Sequence, residues 1–363
     1  MARDRIYLDH AATTPVLAEA QAAMGDALVR WANPSSPHAD GRAARAALEE
    51  ARAGIAEALD WRHDVILTSG ASEAIAIAAA RASAEGQLIG ATEHDAVVAA
   101  MGEEAQVIPV DGRGVIDLEA LKQALGDGPA LVAVQLVNNE TGVVQPIAEI
   151  AAMVRAAGSL LLADCAQGAG KIALPDADFI AVSAHKLGGP PGMGALLVSD
   201  IATLSPTGGQ EKGYRRGTEN VPAAAGFAAA LRSRAFVDAM PRLGVLRGEL
   251  DEAIVSAGGV VIAASSDRIP TIGAYVMPGV TSASQLVQFD LAGIAVSAGS
   301  ACSSGSMKPS RVLEAMGVAP EIAGSVIRVS FGPATSADDV DRFVAEWRRV
   351  AQNAGARAGD RAA

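Results

Sequence analysis

Cysteine is scarce: Cys165 and Cys302 are the only two in 363 residues. That count excludes a disulfide framework and a Cys-x-x-Cys metal knuckle, and it suits a reducing compartment. No apolar stretch approaches the length of a membrane span. Residues Met1 to Arg5 run straight into Ile6-Tyr7-Leu8 without an apolar h-region, so a cytoplasmic protein is expected and a secreted one is not. The formal net charge is −12 and no long Lys/Arg run occurs, which argues against a direct nucleic-acid grip through phosphate neutralisation. The five histidines, His10, His38, His63, His94 and His185, show no spacing that would assemble a metal site. Repeats and low-complexity tails are also missing. What these absences leave is a globular protein whose partners are small molecules or other proteins.

Half of the residues are hydrophobic and 19% are charged, enough for a large core and for two domains. Helical and strand-like stretches alternate over most of the length. Helical spacing runs from Gly41 to Leu59, Val65-Ile66-Leu67 reads as a strand, and a helix follows Ser69 to Glu73. Further strands are expected at Gln87 to Ala91, Gln106 to Pro109, Leu131 to Val137, Leu160 to Ala163 and Phe179 to Val182, with helices at Asp117 to Leu125 and Ile147 to Ala157. Strands separated by helices imply an α/β fold with a mostly parallel sheet covered on both faces. Beyond about Phe236 the pattern changes to a helix (Asp238 to Ala257), short strands near Val260 and Ile272, a helix from Ser284 and a closing helix from Ser336. We therefore expect a large domain over 14–235 and a smaller α+β domain over 236–363, completed by residues 1–13.

Several residues carry chemistry. Lys186, in Ser183-Ala184-His185-Lys186, directly follows the buried-strand pattern Phe179-Ile180-Ala181-Val182, and strand ends in a parallel sheet open onto the ligand crevice. An amine there, desolvated and beside other cations, condenses with carbonyl compounds. The preceding strand ends in Asp164, with Gln167 close behind. One strand end offers a carboxylate and the next a lysine, the pairing that a pyridoxal phosphate site needs. Ser69-Gly70-Ala71-Ser72-Glu73, between strand and helix, suits a phosphate at a helix N-terminus or is an ordinary serine N-cap. Arg215 to Asn220 adds a hydroxyl and positive charge to the same phosphate or forms a solvated turn. His94 stacks on a flat cofactor or is structural. Arg328, on an alternating strand, forks onto a substrate carboxylate or makes a structural salt bridge. Cys302 lies in the small, polar run Ser297 to Ser306, where exposure leaves a thiolate available. Cys165, on an apolar strand, is a core filler.

Taken in order, Tyr7 to Pro15, Asn33 to Ser36, Thr68 to Glu73, Thr92 to His94, Val137 to Gly142, Asp164 to Gln167, Ser183 to Lys186, Arg216 to Asn220 and Gly299 to Ser303 resemble the cysteine desulfurases of the NifS/IscS type. These belong to the class V aminotransferase family, fold type I of the pyridoxal phosphate enzymes. The resemblance implies a large domain with a mostly parallel seven-stranded sheet between helices and a smaller α+β C-terminal domain whose loop, about residues 297–308, carries the catalytic cysteine. It further implies that Lys186 forms the internal aldimine, Asp164 pairs with the pyridine nitrogen, Gln167 and Asn139 contact the ring oxygen region, and His94 stacks on the ring. Ser72, Ser183, His185 and the backbone at Ala71 would hold the phosphate of pyridoxal 5′-phosphate, with Thr218 supplied by the second subunit of a homodimer. Arg328 and Asn33 would bind the substrate.

By the same resemblance L-cysteine becomes L-alanine, the Cys302 thiolate takes the sulfur as a persulfide, and a sulfur-acceptor protein receives it for iron–sulfur cluster assembly or other sulfur transfer. A selenocysteine lyase or an aminotransferase would use Lys186 and Asp164 without a loop thiol, and a non-catalytic sulfur carrier would keep only the fold. A dinucleotide-binding dehydrogenase is disfavoured, because Gly188 to Gly194 contains two prolines and leads into a strand, not a helix.

Overall fold

A computed structural model describes residues 5–298 and 309–362. Its strands, in chain order, are β1 (Ile6–Tyr7), β2 (Asp64–Thr68), β3 (Gly86–Gly90), β4 (Gln106–Ile108), β5 (Ala130–Gln135), β6 (Leu160–Asp164), β7 (Phe179–Ser183), β8 (Gly194–Val198), β9 (Val260–Val261), β10 (Ile272–Val276), β11 (Ile294–Ala295) and β12 (Val326–Ser330). Seven of them form one sheet in the order β2-β8-β7-β6-β5-β3-β4. Neighbours from β7 to β4 pair in parallel, while β8 runs antiparallel to both β7 and β2. The sheet is thus mostly parallel, as expected.

Burial explains why the middle strands read as continuous apolar runs. Every residue of β5, β7 and β8 is buried, so both faces demand apolar side chains. Successive residues then join different cores. Ile66, Leu131, Ala133, Leu162, Phe179 and Leu196 pack on one side, against the helices Ala71–Arg81 and Asp95–Met101. Leu67, Val132, Val134, Leu161, Ile180 and Leu197 pack on the other, with Leu48 and Ile55 of the helix Ala39–Ala58 and Phe227 of the helix Val221–Arg232.

Two long helices escaped the periodicity reading, Ala18–Val29 and Val221–Arg232, as did the short Arg311–Ala315 and Pro320–Ala323. The second is buried nearly all round and offers no polar face for contrast. Gly226 lets the two approach closely: a Cβ there would lie 2.6 Å from Met24 Cγ.

Residues from Ala239 onward supply most of a second core with the N-terminal strand, while Phe236, Ile269 and Ile272 pack into the core of the large sheet. β1 pairs in parallel with β11, and Asp9 bridges to Ser330 on β12, which joins β10 and β9 in an antiparallel sheet. Ile6 and Leu8 pack with Leu243, Leu250, Tyr275, Phe331 and Trp347, and Phe289 stacks on Phe343 with centroids 4.9 Å apart. The alternation read for β12 has no solvent face, because all five residues are buried, Arg328 among them.

A buried ion pair ties β2 to the segment after β8. Glu211 accepts from Arg52 at 2.5 and 3.0 Å and from the Leu67 amide at 2.8 Å. Glu211 lies four residues before Arg215, whose guanidinium meets Glu73 at 3.2 Å beside the start of the helix Ala71–Arg81. Removing the carboxylate would strand a buried guanidinium, partly compensated by Glu49 at 2.9 Å. Glu211→Ala is expected to cost about 3 kcal/mol, read as a lowered unfolding midpoint in denaturant.

Candidate active site

Because the parallel strands share a direction, their C-terminal ends open on one edge. Around that edge lies a cavity of about 380 Å³, lined by Ala71, Ser72, His94, Asn139, Asp164, Ser183, His185 and Lys186. Ala11, Ala12, Ser69, Ala166 and Gly192 complete much of the wall. Of these, Gly192 carries no chemical signal of its own and was not singled out in the sequence, whereas Ser69 lies in the run read as suited to a phosphate.

Lys186 ends a short 3-10 turn, Ala184–Lys186, immediately after β7. The turn is pinned from two directions. Ala184 N–H donates to Met193 O at 3.0 Å and Gly189 N–H to Ala184 O at 2.9 Å. From the N-terminal segment, Thr14 N–H donates to His185 O at 2.8 Å, Leu17 N–H to Gly188 O at 2.9 Å, and Thr14 Oγ1 to Lys186 O at 3.3 Å. Gly188, at φ +90°, makes the reversal that a side chain would strain.

Asp164 is buried at the end of β6 and accepts from Ala166 N–H at 2.9 Å. Gln167 is buried behind Ala11, donating Nε2 to its carbonyl at 2.9 Å, while its Oε1 has no partner. Asn138 shapes the turn that presents Asn139: its Oδ1 accepts from the amides of Glu140 and Thr141 at 2.9 and 2.8 Å. The helix Ala71–Arg81 starts at Gly70, which supplies no capping side chain.

The imidazoles here are neutral bases. His94 accepts from Ala96 N–H through Nδ1 at 3.1 Å, which leaves the proton on Nε2. Burial, and then the nearby Lys186, push its pKa below the ordinary histidine value. His185, 3.1 Å from Thr13 Oγ1, is held down to about 4 by burial, then by Lys186 and Lys171. Glu93, beneath them, is only 2% exposed and burial drives its pKa well above the usual carboxylate range, with Asp164 adding to the rise. Cys165 is fully buried, and burial with Asp164 beside it pushes its thiol well up, in keeping with a core filler.

Other expected residues lie outside this cavity. Arg328 lines a larger neighbouring cavity of about 670 Å³ together with Glu140, Ala298 and Ser310. The structure shows the salt-bridge reading of its strand: Nη2 pairs with Asp9 at 2.9 Å and Nη1 donates to Asn139 O at 2.9 Å, while the buried Nε has no partner. Asn33 and Thr218 are exposed. Cys302 falls outside the described residues. The chain on either side of it is anchored at the site: Ser297 exchanges backbone bonds with Arg328, Ser310 Oγ donates to Glu140 at 2.6 Å, and Arg311 reaches Glu93 O at 3.0 Å and Asp95 at 3.2 Å.

A model of the aminotransferase class-V family matches residues 6–343. The chain belongs to the class-V aminotransferase family. Among its relatives in that family is a cysteine desulfurase of Cereibacter sphaeroides, 35% identical over 94% of this chain and 94% of the relative. Among solved structures, a NifS-like protein from Rickettsia africae superposes with a TM-score of 0.87 at 32% identity, over 95% of this chain and 99% of that one. SspA in complex with cysteine superposes with a TM-score of 0.79 at 28% identity, over 91% and 100%. The family's α/β architecture is therefore the architecture found here. No helix among the described residues is long and apolar enough to cross a membrane.

In this member of the class-V aminotransferase family, His10 is also held down to about 4, first by burial and then by Lys171. Histidines depressed in the folded state bind protons more readily once unfolded, so their contribution is complete above about pH 6.5 and is lost as pH falls toward 4. Thermal midpoints measured across that window are expected to fall with pH in the wild type and to fall less steeply in His10→Gln. A second expectation concerns β8: a Cβ at Gly194 would lie 2.4 Å from Val182 O and 2.6 Å from Gly70 Cα. Gly194→Ala should lower the midpoint and weaken binding of any anion at the Gly70 turn, as read by titration calorimetry.

Proposed function

We propose that this chain is a cysteine desulfurase, with Lys186 as the amine that carries pyridoxal 5′-phosphate and Cys302 as the sulfur acceptor. The observation that carries the reading is the convergence of Lys186 and Asp164 on neighbouring strand ends, at a cavity also lined by the uncapped helix start at Ala71 and Ser72. The residues suit the cofactor. A buried Gln167 Oε1 without a partner and free space beside Gly70 are what a polar ring and a phosphate would use. Ser72, Ser183, His185 and the Ala71 amide would hold the phosphate, Asp164 the pyridine nitrogen, and Gln167 and Asn139 the ring oxygen. His94 would lie on the ring face, and Thr218 of a second copy would complete the phosphate shell.

Bound there, the cofactor supplies an electron sink for the pair released at the substrate Cα. Lys186 Nζ moves the Cα proton. The Arg328 guanidinium would orient the substrate carboxylate, and Asn33 would bind the same substrate. His94, its pKa lowered by burial and by Lys186, brings no added positive charge to the site. Cys302 Sγ attacks the substrate sulfur: an S–S bond forms, the C–S bond breaks, and its electron pair stays with the three-carbon fragment. The two thiol protons end on the persulfide and on the methyl group of alanine. An acceptor protein then takes the terminal sulfur by thiol exchange. Anchoring of both flanks of the Cys302 segment beside Arg328 and Glu140 supports this role.

Alanine and sulfide released from L-cysteine with a reductant are measured for wild type, Lys186→Ala and Cys302→Ala. Both products should fall roughly a thousandfold or more in each variant, while Cys302→Ala still takes up the cofactor. Unchanged turnover in Cys302→Ala would instead favour an aminotransferase or a selenocysteine lyase. A protein that cannot be loaded with pyridoxal phosphate would favour a non-catalytic sulfur carrier.

A further inference from the structure

One buried cation near the site is unused by this mechanism. Lys171 lies seven residues past Asp164, in a turn where its amide donates to Gly168 O at 3.0 Å. The turn packs on the residue after Lys186: Gly170 holds φ +70°, and a Cβ on it would lie 3.5 Å from Leu187 Cδ2. Lys171 is 5% exposed, and its Nζ stands 4.8 Å over the ring of Phe236, at the start of the helix Ala235–Ser256. Among the described residues no carboxylate pairs with it. An ammonium usually enters an interior only with an anion, and here an aromatic face takes that place.

The charged groups around it fall on two sides. Toward the active site stand Lys186, His185 and His10, each of which couples electrostatically to Lys171. On the far side a separate cavity of about 430 Å³ is lined by Lys171, Asp60 and Asp176. Those carboxylates are engaged elsewhere, Asp176 with Arg155 at 2.7 Å and Asp60 with Arg62 at 4.0 Å. Asp164 lines the same cavity as Lys186.

We propose that Lys171 is a positioning residue for Lys186: a second, unpaired ammonium behind the active-site floor whose charge disfavours protonation of Lys186 and keeps the reacting amine free. The inference rests on Lys186 being that amine. Burial, and then Lys186, bring Lys171 itself down to about 7, so near neutrality the two amines share fewer than two protons. The arrangement holds the base ready without placing a cation in the substrate's path.

The test is a pH titration of the visible absorbance of the full-length, cofactor-loaded chain, for wild type, Lys171→Met and Lys171→Arg, with thermal unfolding of each as a folding check. Lys171→Met should raise the absorbance midpoint by about one pH unit, and Lys171→Arg, which keeps a permanent charge, should leave it at or below the wild-type value. An unmoved midpoint in a folded Lys171→Met overturns the proposal. Should that variant fail to fold, coupling is reciprocal, and Lys171 Nζ is followed by nitrogen NMR in wild type and Lys186→Ala. Its midpoint should rise when Lys186 is removed, and an unchanged midpoint overturns the proposal equally. If the wild type takes up no pyridoxal phosphate, the functional reading fails, while the NMR comparison on the cofactor-free chain still decides the role of Lys171.

Discussion

The parallel pairing of β6 with β7 is the constraint from which the site follows. Its register sets Asp164 opposite Ala181, so both strands end on the same edge of the sheet, one on a carboxylate and the other at Ser183, immediately before the turn that carries Lys186. Antiparallel pairing would have sent the two groups to opposite edges. β8 then turns back along β7 and closes the far side of the turn through Met193 and Gly194, where the backbones of Gly70, Val182 and Gly194 come too close for a Cβ.

Around that pair the protein suppresses charge. His94, His185 and His10 are kept neutral mainly by burial, with neighbouring lysines adding to the effect, and the pKa of Glu93 is raised mainly by burial, with Asp164 adding. A dry site with few ionised groups makes each remaining charge act more strongly, which is how a carboxylate and an amine a strand apart come to dominate the local field.

The second constraint is long-range. Residues 9 to 17 lie across the site entrance, joined to Arg328 through Asp9, to Gln167 through Ala11 O, and to the lysine turn through Thr14 and Leu17. Arg328 connects this segment to Asn139, and the backbone bonds of Ser297 to Arg328 bring the flank of the Cys302 segment to the same place. The core that includes Ile6, Leu8, Phe331 and Trp347 therefore does more than bury apolar surface: it brings the Arg328 guanidinium to Asn139, beside the edge of the large sheet.

Much of this was legible before any coordinates. Apolar runs such as Phe179-Ile180-Ala181-Val182 marked strands buried on both faces, their alternation with helical stretches implied a mostly parallel sheet, and a lysine directly after such a run announced the site. Other features left no local trace. Val221–Arg232 shows little polarity contrast because it is buried nearly all round, and Gly168-Ala169-Gly170-Lys171 contains nothing to say that its lysine is sealed against Phe236. Arg328 was balanced between two readings because its strand does not tell which groups, 189 and 319 residues away along the chain, will face it. Periodicity and strand-end chemistry are properties of neighbouring residues, so the amino-acid order determined them by itself. Which charges meet, and which stay unpaired, depends on segments brought together only by packing, and the tertiary structure alone decided that.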